Sequence, residues 1–264
     1  MCGIVGYIGS RQAAPILING LAKLEYRGYD SAGIAVLNDN RVYIIKAKGR
    51  LSVLAQKTDD GKNVSGCIGI GHTRWATHGA PSDINSHPHL SQGGKIAVVH
   101  NGIIENYAKL KNYLIEKGYL FVSDTDTEVI GHLLDYYYLG NMIDAIIKTI
   151  NRIEGSYALG VLCADHPGEM FAVRKDSPLI VGLGEGENFI ASDIPAVLDQ
   201  TRKVYLLEDK EIVWFREDSV KLFDIDKQEI NKEVFHVTWD VSAAEKGGYE
   251  HFMLKEICEQ PKAI

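Results

Sequence analysis

The chain has 264 residues, with 28 Lys and Arg against 35 Asp and Glu, for a formal net charge of −7. That acidic balance lacks the basic field a dominant nucleic-acid surface needs. Apolar residues make up 45% and charged residues 24%, the usual proportion for a soluble globular protein, and no stretch approaches the ~20 apolar residues of a membrane span.

The N-terminal run Ile4–Ile8, bounded by Gly3 and Gly9, reads as a buried strand. Ile16, Leu17, Leu21 and Leu24 then fall on one face at helical spacing. Ala32–Leu37 and Arg41–Ala47 flank Asn38-Asp39-Asn40, which predicts a hairpin. Cys67–Thr73 and Lys95–His100 are two further apolar strands.

Three helices follow. The first carries Leu110, Tyr113 and Leu114 and stops at Gly118. The second opens on Thr125-Asp126-Thr127-Glu128, a capping-box pattern with Thr125 as N-cap, and carries Val129, Ile130, Leu133, Leu134 and Tyr137. The third carries Ile143, Ala145, Ile146 and Ile150.

From Ser156 the pattern changes to period two. Tyr157–Cys163, Met170–Arg174, Leu179–Val181, Asn188–Ala191, Val204–Leu207, Glu211–Phe215 and Val220–Phe223 read as short strands at hairpin spacing. Such a meander implies antiparallel sheets, so the expectation is one α+β domain with sheets buried between helix layers. Thr238–Gly248 reads as a linker, and Glu250–Glu259 as a short helix stopped by Pro261.

The four cysteines, Cys2, Cys67, Cys163 and Cys258, include no C-x-x-C pair and are too sparse for a disulfide scaffold. A reduced, cytoplasmic setting is the simplest reading, and no basic n-region follows Met1 to mark a signal peptide. Cys2 stands apart by position. Once Met1 is removed, one residue carries both a thiol, with a free pKa of about 8.5, and an α-amino group, with a pKa of about 7.7–8.0. Nucleophile and base are then prepositioned together. The plain alternative is a chance Cys after the initiator.

Other candidates cluster in the first half. Gly71-His-Thr-Arg-Trp-Ala-Thr-His-Gly79 offers Arg74 as a bidentate carboxylate partner, with Thr77 and His78 beside it. The alternative is a strand end with a solvated Arg and a packed Trp75. Asn101 and Gly102, after an apolar strand, offer an amide donor and a close backbone approach, the makings of an oxyanion hole, or else a glycine turn. Asp126 could bind an amino group or complement a helix dipole. Arg27, in Tyr26-Arg-Gly-Tyr-Asp-Ser-Ala-Gly33, could hold the segment that carries Cys2. His72, His78, His87, His89 and His100 invite a zinc reading, but no paired Cys or H-E-x-x-H spacing supports it. Gly182-x-Gly184-x-Gly186 is followed by a strand and reads as a hairpin turn, not a nucleotide fingerprint. No cofactor motif is present.

Cys2-Gly-Ile-Val-Gly6, Arg27-Gly-Tyr-Asp-Ser31, Gly71–Gly79, His87-Pro-His89, Asn101-Gly-Ile-Ile-Glu-Asn106 and Thr125-Asp-Thr-Glu128 occur in that order. Over about residues 2–240 this set resembles the glutaminase domains of the glutamine–fructose-6-phosphate aminotransferases. The related amidophosphoribosyltransferases share the N-terminal Cys but read differently at Arg-Gly-Tyr-Asp and Arg-Trp-Ala-Thr-His-Gly. The resemblance implies a four-layer αββα sandwich of the N-terminal nucleophile hydrolase type. It implies Cys2 as nucleophile on the amide of L-glutamine, with its own amino group as base and no cofactor or metal.

By the same resemblance, Asn101 and Gly102 would stabilise the oxyanion, and Arg74, Thr77 and His78 would bind the α-carboxylate. Asp126, aided by the Gly102 region, would hold the α-amino group. Arg27 would position the Cys2 terminus and Trp75 would gate ammonia passage. The resemblance further implies a glutaminase domain at 1–240 and a linker at 241–264, leading into a sugar-isomerase half that makes glucosamine 6-phosphate in a homo-oligomer. The competing expectations are a phosphoribosyl pyrophosphate acceptor and a non-catalytic glutamine-binding module. A retained Met1 would acylate the nitrogen of Cys2 and remove the base.

Overall fold

The fold is seen in a computed structural model that describes residues 2–238, 249 and 252–263. Two antiparallel sheets lie face to face. The first holds β1 (Gly3–Gly9), β2 (Ser31–Asn38), β3 (Arg41–Lys48), β4 (Ile68–Arg74), β9 (Ile180–Leu183), β10 (Glu187–Ala191), β11 (Lys203–Leu206) and β15 (Phe235–His236), in the order β15-β11-β9-β10-β1-β4-β2-β3. The second holds β5 (His89–Leu90), β6 (Ile96–Ile104), β7 (Gly155–Cys163), β8 (Met170–Lys175), β12 (Ile212–Phe215), β13 (Val220–Phe223) and β14 (Glu229–Ile230), in the order β14-β13-β12-β8-β7-β6-β5. Helices α1 (Ala13–Ala22) and α2 (Leu51–Thr58) cover the outer face of the first sheet. The second is covered by α3 (Tyr107–Glu116), α4 (Glu128–Tyr137) and α5 (Met142–Ile150).

Three apolar layers follow from the period of two in the strands. Val5 and Tyr7 of β1 point outward, to a core shared with Leu17 and Leu21 of α1. Ile4 and Ile8, one residue out of phase, point inward and meet Ile70 of β4 and Ala97 and Val99 of β6 between the sheets. Val98 and Ile96 face the other way, onto Val129, Ile130 and Leu133 of α4. Strands with both faces buried carry near-continuous apolar runs, which is why Ile4–Ile8 and Ile96–Val99 show little alternation. This is the expected α+β four-layer αββα sandwich.

Several boundaries differ from expectation. Leu24 lies beyond the end of α1, fully buried in the following turn, so its place in the core does not come from the helix. Helix α2 has only three buried residues, Leu51, Leu54 and Thr58, too short a stripe to be read from periodicity. The strand expected to end at His100 continues through Asn101 and Gly102 to Ile104, because the whole segment pairs with β7. The Gly184–Gly186 hairpin turn is present between β9 and β10. The final helix, α6 (Phe252–Ala263), passes through Pro261. Proline there forfeits one hydrogen bond within the last turn, too near the helix end to stop it earlier. The linker expected over Thr238–Gly248 lies, beyond Thr238, outside the described residues.

The capping box is also not formed as expected. Helix α4 starts at Glu128, its N-cap is Thr127 instead of Thr125, and the Thr127 side chain makes no capping hydrogen bond. Glu128 reaches back further: its carboxylate accepts from the backbone N–H of Val122 (2.9 Å) and Ser123 (2.8 Å) and from the Ser123 hydroxyl (2.7 Å). Burial alone would raise this carboxyl, but the His132 side chain and the Val122 and Ser123 donors hold it down at about 2. With a folded pKa below the unfolded value of about 4.3, its contribution is present above pH ~4.3 and lost as pH falls toward 2. Glu128→Gln is expected to lower stability by about 2 kcal/mol at pH 7, with the deficit narrowing below pH ~4. Urea unfolding at pH 7 and pH 3 checks this, and an equal deficit at both would contradict it.

Candidate active site

Strand register brings the site together at one end of the sandwich. Gly3 pairs with Thr73, which sets Cys2 across from Arg74 at the ends of β1 and β4. By alternation Cys2, His72 and Arg74 share the inner face of one sheet, and Asn101 shares the inner face of the other with Ala97 and Val99. A cavity of about 420 Å³ opens between them, within the usual range for a small-molecule site. Cys2, Arg27, Arg74, Trp75, Thr77, His78, Asn101, Gly102 and Asp126 all line it. The residues expected from the sequence therefore converge on one hollow.

The Cys2 thiol is half-buried. It accepts from the Trp75 N–H (3.2 Å) and faces the Trp75 carbonyl (3.6 Å). Burial pushes its pKa up, and the Trp75 backbone offsets this only in part. The thiol therefore stays protonated near neutral pH and needs a base to become a nucleophile.

Asn101 donates from Nδ2 to the Cys2 carbonyl (3.0 Å), which leaves its second Nδ2–H for another acceptor. Gly102 has φ +130°, and a Cβ there would stand 2.1 Å from the Ser156 carbonyl oxygen. Only glycine fits this position in the ladder. Gly102→Ala is expected to displace β6 from β7, lowering Tm by about 5–10 °C and, on the reading below, turnover by at least ~100-fold. A thermal melt beside a glutamate-release assay checks both.

Arg74, at the end of β4, is 3% exposed. Its Nη2 donates to the carbonyls of His78 and Gly79, which pins the loop that follows. Its Nη1 has no hydrogen-bond partner, and the nearest carboxylate oxygen, Asp30 Oδ1, is 3.9 Å away. Arg74 lines the cavity, so its buried guanidinium sets a positive charge beside it that is suited to an anion. Asp126, also in the lining, is held by the Ile104 N–H (2.8 Å), and its other oxygen lies 3.9 Å from His78 Nδ1. Fixed positive and negative groups thus line the same cavity. Trp75, about half-exposed, meets Tyr29 edge-on at 5.5 Å at the rim.

Arg27 acts at one remove. Its Nη1 donates to the Ser192 carbonyl (3.1 Å) and to Asp193 (3.0 Å), and the Ser192 hydroxyl in turn accepts from the Ile4 N–H of β1 (3.0 Å).

Sequence reasoning missed part of the lining, namely His87, His100, Thr127, Ser156 and Ser177. The histidines form a buried cluster. His72 stacks on His87 (4.2 Å, 22°), which meets His89 edge-on (4.9 Å). Burial lowers the pKa of each, to about 3 for His72. Among the described residues, no group of three or more His, Cys, Asp or Glu side chains is placed to hold a metal ion. Nor is any helix among them long and apolar enough to cross a membrane.

Residues 72–199 match the family model of the glutamine amidotransferase domain. Over all 264 residues the chain is 64% identical to the glutamine–fructose-6-phosphate aminotransferases (isomerizing) of Caldanaerobacter subterraneus and Clostridium perfringens, and 51% identical to that of Aquifex aeolicus. It spans 43%, 43% and 44% of those proteins, less than half their length. Among solved structures, the glutamine phosphoribosylpyrophosphate amidotransferase of B. subtilis superposes with a TM-score of 0.75 at 26% identity, over 86% of this chain and 50% of that one. A glutamine aminotransferase class-II domain protein of Silicibacter pomeroyi shares the fold, with a TM-score of 0.60 at 12% identity, over 84% of this chain and 99% of that one.

Proposed function

The chain carries a glutamine amidotransferase domain of the kind found in the glutamine–fructose-6-phosphate aminotransferases, and from that premise we propose that it hydrolyses the side-chain amide of L-glutamine at Cys2. The observation that carries this reading is the convergence of a thiol, an unspent buried guanidinium and a fixed carboxylate on one cavity.

In this reading the Cys2 α-amino group, free once Met1 is gone, takes the thiol proton. Sulfur attacks the amide carbon and the carbonyl oxygen becomes an oxyanion facing the second Nδ2–H of Asn101 and the backbone of Gly102. The ammonium then returns its proton to the leaving nitrogen, ammonia departs and a thioester remains. Water, deprotonated by the same amine, cleaves the thioester to glutamate and restores the thiol. Arg74 with Thr77 and His78 binds the α-carboxylate, and Asp126 the α-amino group. Arg27 steadies β1 through Ser192, and Trp75 closes over the bound amide.

We further propose that residues 1–240 form this domain and that 241–264 lead into a sugar-isomerase half, which uses the ammonia to convert fructose 6-phosphate to glucosamine 6-phosphate in a cytoplasmic homo-oligomer. The 64% identity over the whole chain favours this acceptor over phosphoribosyl pyrophosphate, whose amidotransferase is 26% identical. The test is glutamate release by a preparation shown by intact mass to lack Met1. It should also be labelled at Cys2 by an electrophilic glutamine analogue. No turnover and no label would refute the reading, and label without turnover would point to a binding module.

A further inference from the structure

His72 stands in the apolar layer between the sheets, among Ile4, Ile70, Ala97 and Val99, and is fully buried. Its Nε2 lies 3.0 Å from two atoms of β6: the His100 carbonyl oxygen and Asn101 Oδ1. Both are acceptors, so Nε2 carries the hydrogen and the neutral ring leaves Nδ1 without one. That Nδ1 has no hydrogen-bond partner. A half-satisfied imidazole is a costly way to fill an apolar layer that a Leu or Met would fill better.

The contact with Asn101 gives the imidazole a task. A side-chain amide has nearly the same shape either way round, but its ends are opposite in character. With Oδ1 on the His72 N–H, Nδ2 must face the Cys2 carbonyl and the cavity, as observed. Turned over, Asn101 would set Nδ2–H against the His72 N–H and Oδ1 against the Cys2 carbonyl oxygen. It would also aim an oxygen at the place where the oxyanion forms. Because burial keeps the ring neutral, the N–H that selects the orientation persists throughout the working pH range.

We propose that His72 is a positioning residue for amide hydrolysis: its Nε2–H locks the Asn101 amide with Nδ2 toward the oxyanion, bridging from one sheet to the other. This rests on the reading of Asn101 as an oxyanion donor. The geometric demand is strict, since donors in such sites act by being aimed before charge develops.

Three variants of the chain, assayed without Met1, test the proposal. H72M fills the space without a donor and H72Q restores an amide N–H, while N101A removes the donor that His72 is said to aim. H72M is expected to lower kcat 10- to 100-fold with KM for glutamine within threefold, and H72Q to recover most of the loss. Affinity for the γ-aldehyde analogue of glutamine, which adds Cys2 to make a tetrahedral centre, should fall in parallel with kcat, while glutamate affinity holds. H72M/N101A should be no slower than N101A alone, because the two residues act as one unit.

If H72M does not fold, H72S, whose hydroxyl is too short to reach Asn101, carries the same expectation. A kcat near wild type in H72M or H72S, with N101A impaired, overturns the proposal and leaves the Asn101 reading intact. So does a double variant slower than N101A by the full H72M factor, which would mark a general packing role. An N101A variant with normal kcat overturns the Asn101 reading itself, and this proposal with it.

Discussion

Cys2→Ala is expected to abolish glutamate release from glutamine, with a loss of at least ~10⁴-fold in kcat, while Tm stays within about 2 °C of the parent. The size of the loss follows from there being no second thiol at the cavity: Cys67 bonds the Ser10 carbonyl, Cys163 is buried in the helix-side core and Cys258 lies on α6. The small stability change follows from what the sulfur touches, the Trp75 backbone, in a half-buried position. Burial raises the thiol pKa, so a resting thiolate cannot account for activity near neutral pH. The acid limb of kcat/KM should then follow the free α-amino group, rising through pH ~7–8. A preparation that retains Met1 has an amide nitrogen in place of that amine and should be inactive at every pH. Glutamate release, measured with intact mass on the same samples, reads all three outcomes. Turnover in Cys2→Ala, or in a wholly Met1-bearing sample, would remove the nucleophile–base pairing from the mechanism.

Most strands were legible because the two faces of each strand do different work. Ile4–Ile8 and Ile96–Val99 are apolar on both faces and had to be central, while Ser156 onward alternates and had to be a meander. The two-residue strands β5, β14 and β15 carry no pattern at that length, and α2 buries too few residues to leave one. The site was legible where a residue type has one outstanding use, as Cys at position 2 or Arg before a polar loop. It was not legible where the role depends on the facing sheet. His72 read as one of five unexplained histidines, because its partner lies 29 positions away on β6. Glu128 read as the back half of a capping box, but its carboxylate turns to Val122 and Ser123, which together give it three donors. Gly102 was left open between an oxyanion donor and a glycine turn, and the expected strand stopped at His100, because the ladder with β7 that keeps Gly102 in the strand at a positive φ involves residues some fifty positions away.

Arg74→Lys is expected to raise KM for glutamine at least 100-fold and to lower kcat/KM by ~10³, although the charge is kept. The guanidinium does two jobs that an ammonium cannot do together. Nη2 holds the carbonyls of His78 and Gly79, which sets the loop carrying Thr77 and His78, and on the reading above the rest of the guanidinium serves the α-carboxylate. A lysine at this site, reaching with one nitrogen, would take the loop carbonyls or the ligand, not both. A ~10³-fold fall is about 4 kcal/mol, within the range for losing one partner of a buried, hydrogen-bonded charge pair. A damaged fold would also lower activity, so substrate identity supplies the control. 4-Aminobutanamide keeps the reacting amide and the amine at their spacing in glutamine but has no α-carboxylate. The parent chain should process it ~10³-fold less well than glutamine, and Arg74→Lys should process it about as well as the parent does. Asp126→Asn should show the complementary pattern, tolerating glutaramic acid, which has no α-amino group, as the parent does. If Arg74→Lys loses the same factor on both substrates, Nη1 is not the carboxylate partner. The unspent donor beside Asp30 would then belong to the architecture of the loop instead of the substrate.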